Sequence, residues 1–472
     1  DINSKENYTP SVVMLDNNMA LVGNIAEQYL DLYPDKNIIR YYKRYFGTQQ
    51  PIFFDTSGNP WFSETIAAMM LKKVRFDAEM LLPDTSDSVV ITVPAHYNDA
   101  QRKSVLEAAS LADINLTALI EEPVAAALSY MNTNKYDDEI IMVYDFGGGT
   151  FDLTLITRNG ISVHVLAKDG LSNLGGKEFD EIIANRILED YQKCFRTDIY
   201  NDLNAINKLR KISENIKLQL SNEPNNWCKK WISLSSNAFE FKFSIQELEQ
   251  KSNEIIKNTE KVVERCLRSV GISFQDVNKI VMVGGTSQIP FIKSYWQNKI
   301  NQNKQELIYH DPFTSVAYGA ALYAGRVNQN SGVKMPLELN TVSTYNIAIQ
   351  SITNTTSNDV LIFKNSPLPI SAKRIFTIRP SETIKLSLLQ YWDENEPFVL
   401  GKIIIGPFQN FENWQIELLV ENRSNGTIAV KTRNTANNQN LKFNFEKEPA
   451  QYEYNAAQQK KLLNSITINT IF

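Results

Sequence analysis

The chain has 472 residues, 43% hydrophobic and 21% charged, with 48 basic and 53 acidic side chains for a formal net charge of -5. At ~150 residues per domain, this suits two or three globular domains with sizeable cores. The slight acidic excess supplies no basic field to hold nucleic acid or an anionic membrane, and no run of ~18 apolar residues is present to span one. Three cysteines (Cys194, Cys228, Cys266) and three scattered histidines (His96, His164, His310) give neither a disulfide framework nor a zinc site. They point to a reducing compartment, the cytoplasm.

Tyr8 to Asp16 (Y-T-P-S-V-V-M-L-D) is a proline-led β-like run, followed by a segment ending Y-Y-K-R-Y-F-G at Gly47. Pro60 to Arg75 predicts the start of a helix, with Ser63 as N-cap ahead of I-A-A-M-M-L. Val89 to Val93 predicts a buried strand that stops at Pro94, and Asn98 to Ala112 has helical periodicity. Such alternation is an α/β signature. In A-L-I-E-E-P-V-A-A-A-L-S-Y (Ala118 to Tyr130), Glu122 stands directly before a proline that opens an alanine-rich helix. Taken alone, that acid reads first as a favourable charge at a helix N-terminus.

Val143 to Leu155 reads V-Y-D-F-G-G-G-T-F-D-L-T-L: two apolar arms around three consecutive glycines, with Asp145 before them and Thr150 and Asp152 after. Glycines remove every Cβ from the reversal, so backbone N–H groups can crowd around an anion. Thr150 can donate a hydroxyl to a phosphate oxygen or position a water. Two carboxylates beside a phosphate make sense with Mg²⁺ and its water shell between them. A plain glycine-rich hairpin is the other reading of the stretch. A second glycine pair follows in L-G-G-K-E-F-D (Leu174 to Asp180), leading into a helix from Glu181 to Cys194.

Leu203 to Ser221 is an amphipathic helix in which Glu214, Lys217 and Ser221 share a face, as a solvated ion-pair stripe also would. Val277 to Pro290 (V-N-K-I-V-M-V-G-G-T-S-Q-I-P) predicts a strand, a glycine pair and a helix, a third backbone-lined pocket. Val327 to Gly332 is a polar linker and Val333 to Leu339 a short strap. From Tyr345 to about Phe445 the chain alternates as strands, as in F-T-I (376–378), I-K-L-S-L-L (384–389) and I-E-L-L-V (416–420), with a turn at Asn425-Gly426. Gln451 to Leu463 predicts one short helix.

The ordered set T-P-S-V-V, I-T-V-P-A-H-Y-N-D-A-Q-R, E-E-P-V-A-A-A-L-S-Y, D-F-G-G-G-T-F-D, L-G-G-K-E-F-D, V-G-G-T-S-Q-I-P and A-Y-G-A-A resembles the seventy-kilodalton heat-shock chaperones, the DnaK family, with spacing most like the bacterial HscC-type branch. The resemblance implies an α/β actin-like ATPase domain of two lobes (1–327), a linker (328–341), an all-β sandwich that binds extended peptides (342–446) and a short tail or helix (447–472). It implies ATP or ADP with Mg²⁺ as ligands and unfolded or extended polypeptides as clients. A J-domain co-chaperone and a nucleotide-exchange factor are the further implied partners.

Carried over by position, Asp145, Gly147, Gly148, Gly149 and Thr150 match the family's second phosphate loop. Thr150 would position the attacking water, Asp145 and Asp152 would serve the metal and the catalytic carboxylate roles, and Glu122 would lie near both. Gly175 and Gly176 would line the phosphate or ribose side. Glu214, Lys217, Ser221, Gly284, Gly285 and Ser287 would clamp the adenosine. Pro94 and Arg102 would form the interdomain relay, and Phe376, Ile384 and Leu386 would lie along the peptide groove.

The departures from the family are as specific. Its first phosphate loop, G-x-D-x-G-T-T, would lie upstream of T-P-S-V-V and is absent from these residues, as expected of an N-terminally truncated member. The segment expected to bring a catalytic lysine, Gln49 to Phe62, contains none. Two adenine-stacking arginines are replaced by Leu218 and Gln288, an acid by Phe313, and the strap carries Met335, Pro336 and Glu338. The helical lid is reduced to Gln451 to Phe472. The leading expectation is an ATP-dependent peptide-binding chaperone. The alternative is a nucleotide-binding pseudo-ATPase acting as regulator or scaffold. A sugar or acetate kinase of the same superfold is disfavoured by the β domain.

Overall fold

The computed structural model describes residues 1, 7–16, 19–32, 38–82, 89–133, 138–160, 162–222, 227–301, 304–311, 314–327, 338–351, 358–379, 381–392, 397–408, 414–447 and 452–469. Most of the predicted linker, and Phe313, lie outside them. Among them, no helix is long and apolar enough to cross a membrane.

Val89–Val93 and Leu116–Glu121 pair in parallel, joined by the helix Asp99–Leu111. That helix starts sharply because Asn98 accepts a bond from the Gln101 amide (2.9 Å) while the Gln101 side chain accepts one from the Asn98 amide (3.0 Å). It packs with the helix Ser63–Leu81 on a core containing Tyr42, Phe46, Trp61, Ile66 and Val105. Ser63 is the first residue of its helix rather than the cap. The strand Pro60–Phe62 runs straight into the helix, leaving extended Phe62 at the cap position and the Ser63 hydroxyl bonded to Glu64.

A six-stranded sheet forms the second body, in the order Glu306–Tyr309, Lys279–Val283, Glu139–Phe146, Phe151–Asn159, Ser162–Leu171, Glu338–Asn340. Its middle strands are apolar on both faces because both are covered. One face carries Met142, Tyr144, Leu153 and Leu155 with Phe179, Ile183 and Trp296; the other carries Ile141, Val143 and Val281 with Val124, Ala127 and Leu128. The helices Glu122–Thr133 and Ser315–Val327 meet backbone to backbone. A Cβ on Gly319 would fall 1.7 Å from the Ala125 carbonyl oxygen, so the A-Y-G-A-A glycine is a packing requirement. The helix after the second glycine pair spans Gly176–Phe195, starting at the glycine itself, earlier than its apolar pattern indicates.

The β part is two antiparallel sheets sharing one core. Five strands run in the order Asp359–Ile362, Asn346–Ser351, Ile384–Tyr391, Phe398–Ile405, Asn444–Glu446, and three in the order Ile370–Ile378, Trp414–Asn422, Ile428–Asn434. Alternate residues face inward: Ile347 and Ile349, Leu386 and Leu388, Ile403 and Ile405 oppose Ile416, Leu418 and Val420.

The tail returns to the first body. Its helix is Ala456–Ser465, shifted from the expected Gln451 to Leu463 because Asn455 caps it through the Gln458 amide. Leu463 enters the core under the helices Ser63–Leu81 and Asp99–Leu111, and Gln459 donates to the Pro60 carbonyl (2.9 Å). The strand Thr467–Asn469 then adds in parallel to Met19–Val22.

Candidate functional site

The glycine hairpin forms as its sequence predicts. Asp145 and Asp152 are direct cross-strand partners, the next pair is Phe146 with Phe151, and the Gly147 amide donates to the Thr150 carbonyl (3.1 Å) to close the turn. Opposed like charges are unfavourable, and these two carboxylates are only 7% and 1% exposed. Glu122 is a third. Burial, then Glu122 and Asp152, push the Asp145 carboxyl well above the usual carboxylate range, with Lys43 pulling it back only in part. Burial raises Glu122 as well, against Lys43 and His96.

Three carboxylates around one lysine leave a deficit of positive charge, and the buried Asp152 Oδ2 has no hydrogen-bond partner among the described residues. A divalent cation fits that deficit. No group of three or more His, Cys, Asp or Glu among the described residues is disposed to ligate one directly. Asp145 and Asp152 are the residues that would hold such an ion, through its water.

The other glycine turns press onto the hairpin. The Gly176 and Lys177 amides donate to the Gly147 and Gly148 carbonyls (both 3.0 Å), and a Cβ on Gly175 would lie 2.4 Å from the Gly149 nitrogen. From the third turn, the Thr286 hydroxyl donates to the Gly147 carbonyl (2.8 Å). Gly284, at φ +81, packs so closely that an added Cβ would fall 2.4 Å from the Phe146 carbonyl oxygen and 2.8 Å from Asp145 Oδ1. The Ser287 hydroxyl closes this turn on the Gly284 carbonyl (2.7 Å), and Gly285 is exposed beside it.

Lys217 joins the set by donating to the Gly176 carbonyl (3.2 Å) and to Asp180 (2.9 Å). On its helix, Leu203–Asn222, Glu214 is exposed, whereas the Ser221 hydroxyl turns back on the Lys217 carbonyl (2.8 Å). Leu218 is 52% exposed, and the Gln288 amide donates to Ser287 (3.0 Å).

Sequence reasoning missed several residues here. It searched Gln49 to Phe62 for a lysine. The structure supplies Lys43, from inside Y-Y-K-R-Y-F-G, whose charge is held by Glu122 and Asp145 against the opposing effect of burial. Adjacent Arg44 bridges the two bodies, donating to the Gly149 carbonyl (3.0 Å) and to Glu178 (3.1 Å), which itself accepts from the Gly175 amide (2.6 Å). His96 grips Asp152 Oδ1 twice, through its amide (3.1 Å) and its Nδ1 (2.8 Å). The signal was present in both quoted motifs, but partners more than a hundred residues away for Arg44, and more than fifty away for His96, have no local spacing to betray them.

Pro94 and Arg102 sit where the β part docks. Pro94 is buried at the head of the turn Ala95-His96, whose carbonyls accept from the Thr344 and Tyr345 hydroxyls. Arg102 donates to Glu121 (3.1 Å), to the Tyr97 carbonyl (3.0 Å) and, across the junction, to the Asn425 carbonyl (3.0 Å). Asp99 accepts from the Ile428 amide (2.8 Å), and Lys168 ties Glu121 (2.9 Å) to the Val342 carbonyl (2.8 Å).

In the β part, Leu386 is a core residue, while Phe376 and Ile384 are half-buried against the same core. A cavity of about 950 Å³ lies elsewhere, between the helix Asp99–Leu111, the strand Phe398–Ile405 and the tail, lined by Ser104, Glu107, Leu400 and Tyr454. A comparison with protein families matches residues 50–447 to the model described as Hsp70 protein.

Proposed function

The chain belongs to the Hsp70 family, which gives it a chaperone role in general terms, and we propose that it is an ATP-driven chaperone whose nucleotide state sets its affinity for extended hydrophobic polypeptides. Residues 1–327 would form the nucleotide-binding domain, 328–341 the linker, 342–446 the peptide-binding sandwich and 447–472 the tail. The observation that carries the reading is the convergence of three glycine turns on two opposed carboxylates.

In hydrolysis a water oxygen bonds to the γ-phosphorus, the bond from that phosphorus to the ADP oxygen breaks, and the water gives up a proton. Asp145 and Asp152, the two opposed carboxylates, would share the metal role and the role of accepting that proton. Thr150 ends the turn and would orient the water. Lys43 offsets the negative charge gathered between Glu122 and Asp145, and Gly148 and Gly149 offer backbone to phosphate oxygens. When bound, Mg²⁺ would neutralise polyphosphate charge and polarise the phosphoryl oxygens. Pro94 and Arg102 would pass the nucleotide state to the β part, where Phe376, Ile384 and Leu386 would back the peptide.

The second reading, a nucleotide-binding pseudo-ATPase, is favoured by Leu218, whose exposed side chain offers neither a plane nor a charge to a base. Phosphate release from Mg-ATP, with and without a leucine-rich heptapeptide, separates the two. Turnover that rises with peptide supports the chaperone cycle. ADP binding with no phosphate release would establish the pseudo-ATPase, and no binding of either nucleotide would refute both.

A further inference from the structure

Tyr41 is a non-glycine residue in the left-handed region (φ 54, ψ 22), immediately before the short helical turn Tyr42–Tyr45. Such conformations persist where the surroundings over-determine them, often at functional sites. The kink splits four consecutive side chains: Tyr42 goes into the first core, the Lys43 charge faces Glu122 and Asp145, and Arg44 crosses to Gly149 and Glu178. Tyr41 stays out, 40% exposed. Its ring lies against two cations from the two bodies, Arg44 at 5.7 Å and Lys177 at 5.4 Å from the ring centre. Asp180 and Glu214, beside Lys217, are the acids that face its hydroxyl.

We propose that Tyr41 is a nucleoside-binding residue, an aromatic cover reaching from the first body over the sugar and base held by Lys217, Glu214 and the Gly175-Gly176 turn. This rests on the nucleotide reading above. Aromatic rings stack on any base through its π-face, and acids beside the ring suit the hydroxyls of a ribose. Burial, then Asp180 and Glu214, push the Tyr41 phenol up to about 12, so the hydroxyl stays a donor at neutral pH. The ring is not part of the first core; what the left-handed backbone does is set it against the Arg44 and Lys177 cations, where the two bodies meet.

The test is calorimetric titration of the full chain with Mg-ADP and with Mg-pyrophosphate, which lacks the nucleoside. Tyr41→Asn tolerates the left-handed backbone and is expected to keep the melting temperature while weakening ADP about 10- to 100-fold. Pyrophosphate affinity should not change, and Tyr41→Phe should stay within about threefold of the native chain, since stacking uses the ring. Native-like ADP affinity in Tyr41→Asn would overturn the proposal and leave the nucleotide reading standing. Equal losses for ADP and pyrophosphate would overturn it too, by placing the effect on the phosphates. A native chain that binds neither ligand would sink both.

Discussion

Gly148 is the point of the hairpin where an added Cβ would meet no protein atom within 4 Å. A side chain there costs the fold little yet would occupy the space through which, in the proposed function, phosphate oxygens approach. Gly148→Val is therefore expected to melt within a few degrees of the native chain and to lose at least ~10-fold in ADP affinity, about 1.4 kcal/mol. Calorimetry checks it, and unchanged affinity would remove the hairpin from the site. Lys43→Met should act differently, because the lysine offsets carboxylate charge rather than making room. Turnover should fall ~100-fold or more while ADP binding falls less; rapid-quench single-turnover kinetics read the chemical step directly.

Glu121, next to the site acid Glu122, is a residue whose charge supports the fold. Burial alone would raise its carboxyl, but Lys168 and Arg102 outweigh that and hold it at about 2. A carboxyl depressed in the folded state contributes stability above its unfolded pKa and loses it as pH falls toward the folded one. Urea unfolding of the native chain should thus weaken between about pH 4.5 and pH 2, and Glu121→Gln should flatten that part of the curve. At pH 7 the substitution should cost ~3–5 kcal/mol, since it strands buried Lys168. An unchanged acid limb in the variant would mean that other carboxylates govern acid unfolding.

Among the elements, the tail is the one whose position changes the functional picture. A short helix at this place in the sequence could cover the β part, but Ala456–Ser465 packs on the helices Ser63–Leu81 and Asp99–Leu111 instead. Tyr454 meets Phe62 edge to face at 5.1 Å and donates to Glu107 (3.2 Å), and Lys460 pairs with Asp113 (2.6 Å). Leu463→Ala should cost ~2–5 kcal/mol, measured as a drop in the unfolding midpoint of the first body. The same placement predicts quick peptide release. With the helix engaged elsewhere, the proposed peptide groove would have no cover from it, and differences between related complexes show mostly in dissociation rates. Stopped-flow release of a fluorescent leucine-rich heptapeptide should be complete within seconds in the ADP state; release over minutes would show that another element closes the groove.

At the scale of the whole molecule, the β part is docked on the first two bodies through polar contacts. Lys364 reaches buried Asp169 (3.5 Å), which also holds Arg265, and Asn365 donates to Ser269 (3.1 Å). A junction of hydrogen bonds and ion pairs is suited to two discrete arrangements, as coupling between sites requires. Lys364→Met should reduce peptide stimulation of phosphate release by roughly fivefold or more, the scale of a 1–3 kcal/mol coupling, with ADP affinity unchanged. Equal stimulation in the variant would leave this contact outside the coupling.

What the sequence determined by itself is what depends on near neighbours: the alternation of strands and helices, the three glycine turns, the facing of Asp145 and Asp152 across a hairpin, and the in-out pattern of the β strands. Each follows from local spacing, because a side chain's direction along a helix or strand is set by the period of the backbone. Tertiary structure alone decided the rest. Lys43 and His96 meet carboxylates from other segments, Arg44 joins two bodies, the Tyr41 ring lies against Arg44 and Lys177, and the tail strand pairs with Met19–Val22 across more than four hundred residues. Such contacts arise from packing between elements, and no period within either partner encodes them.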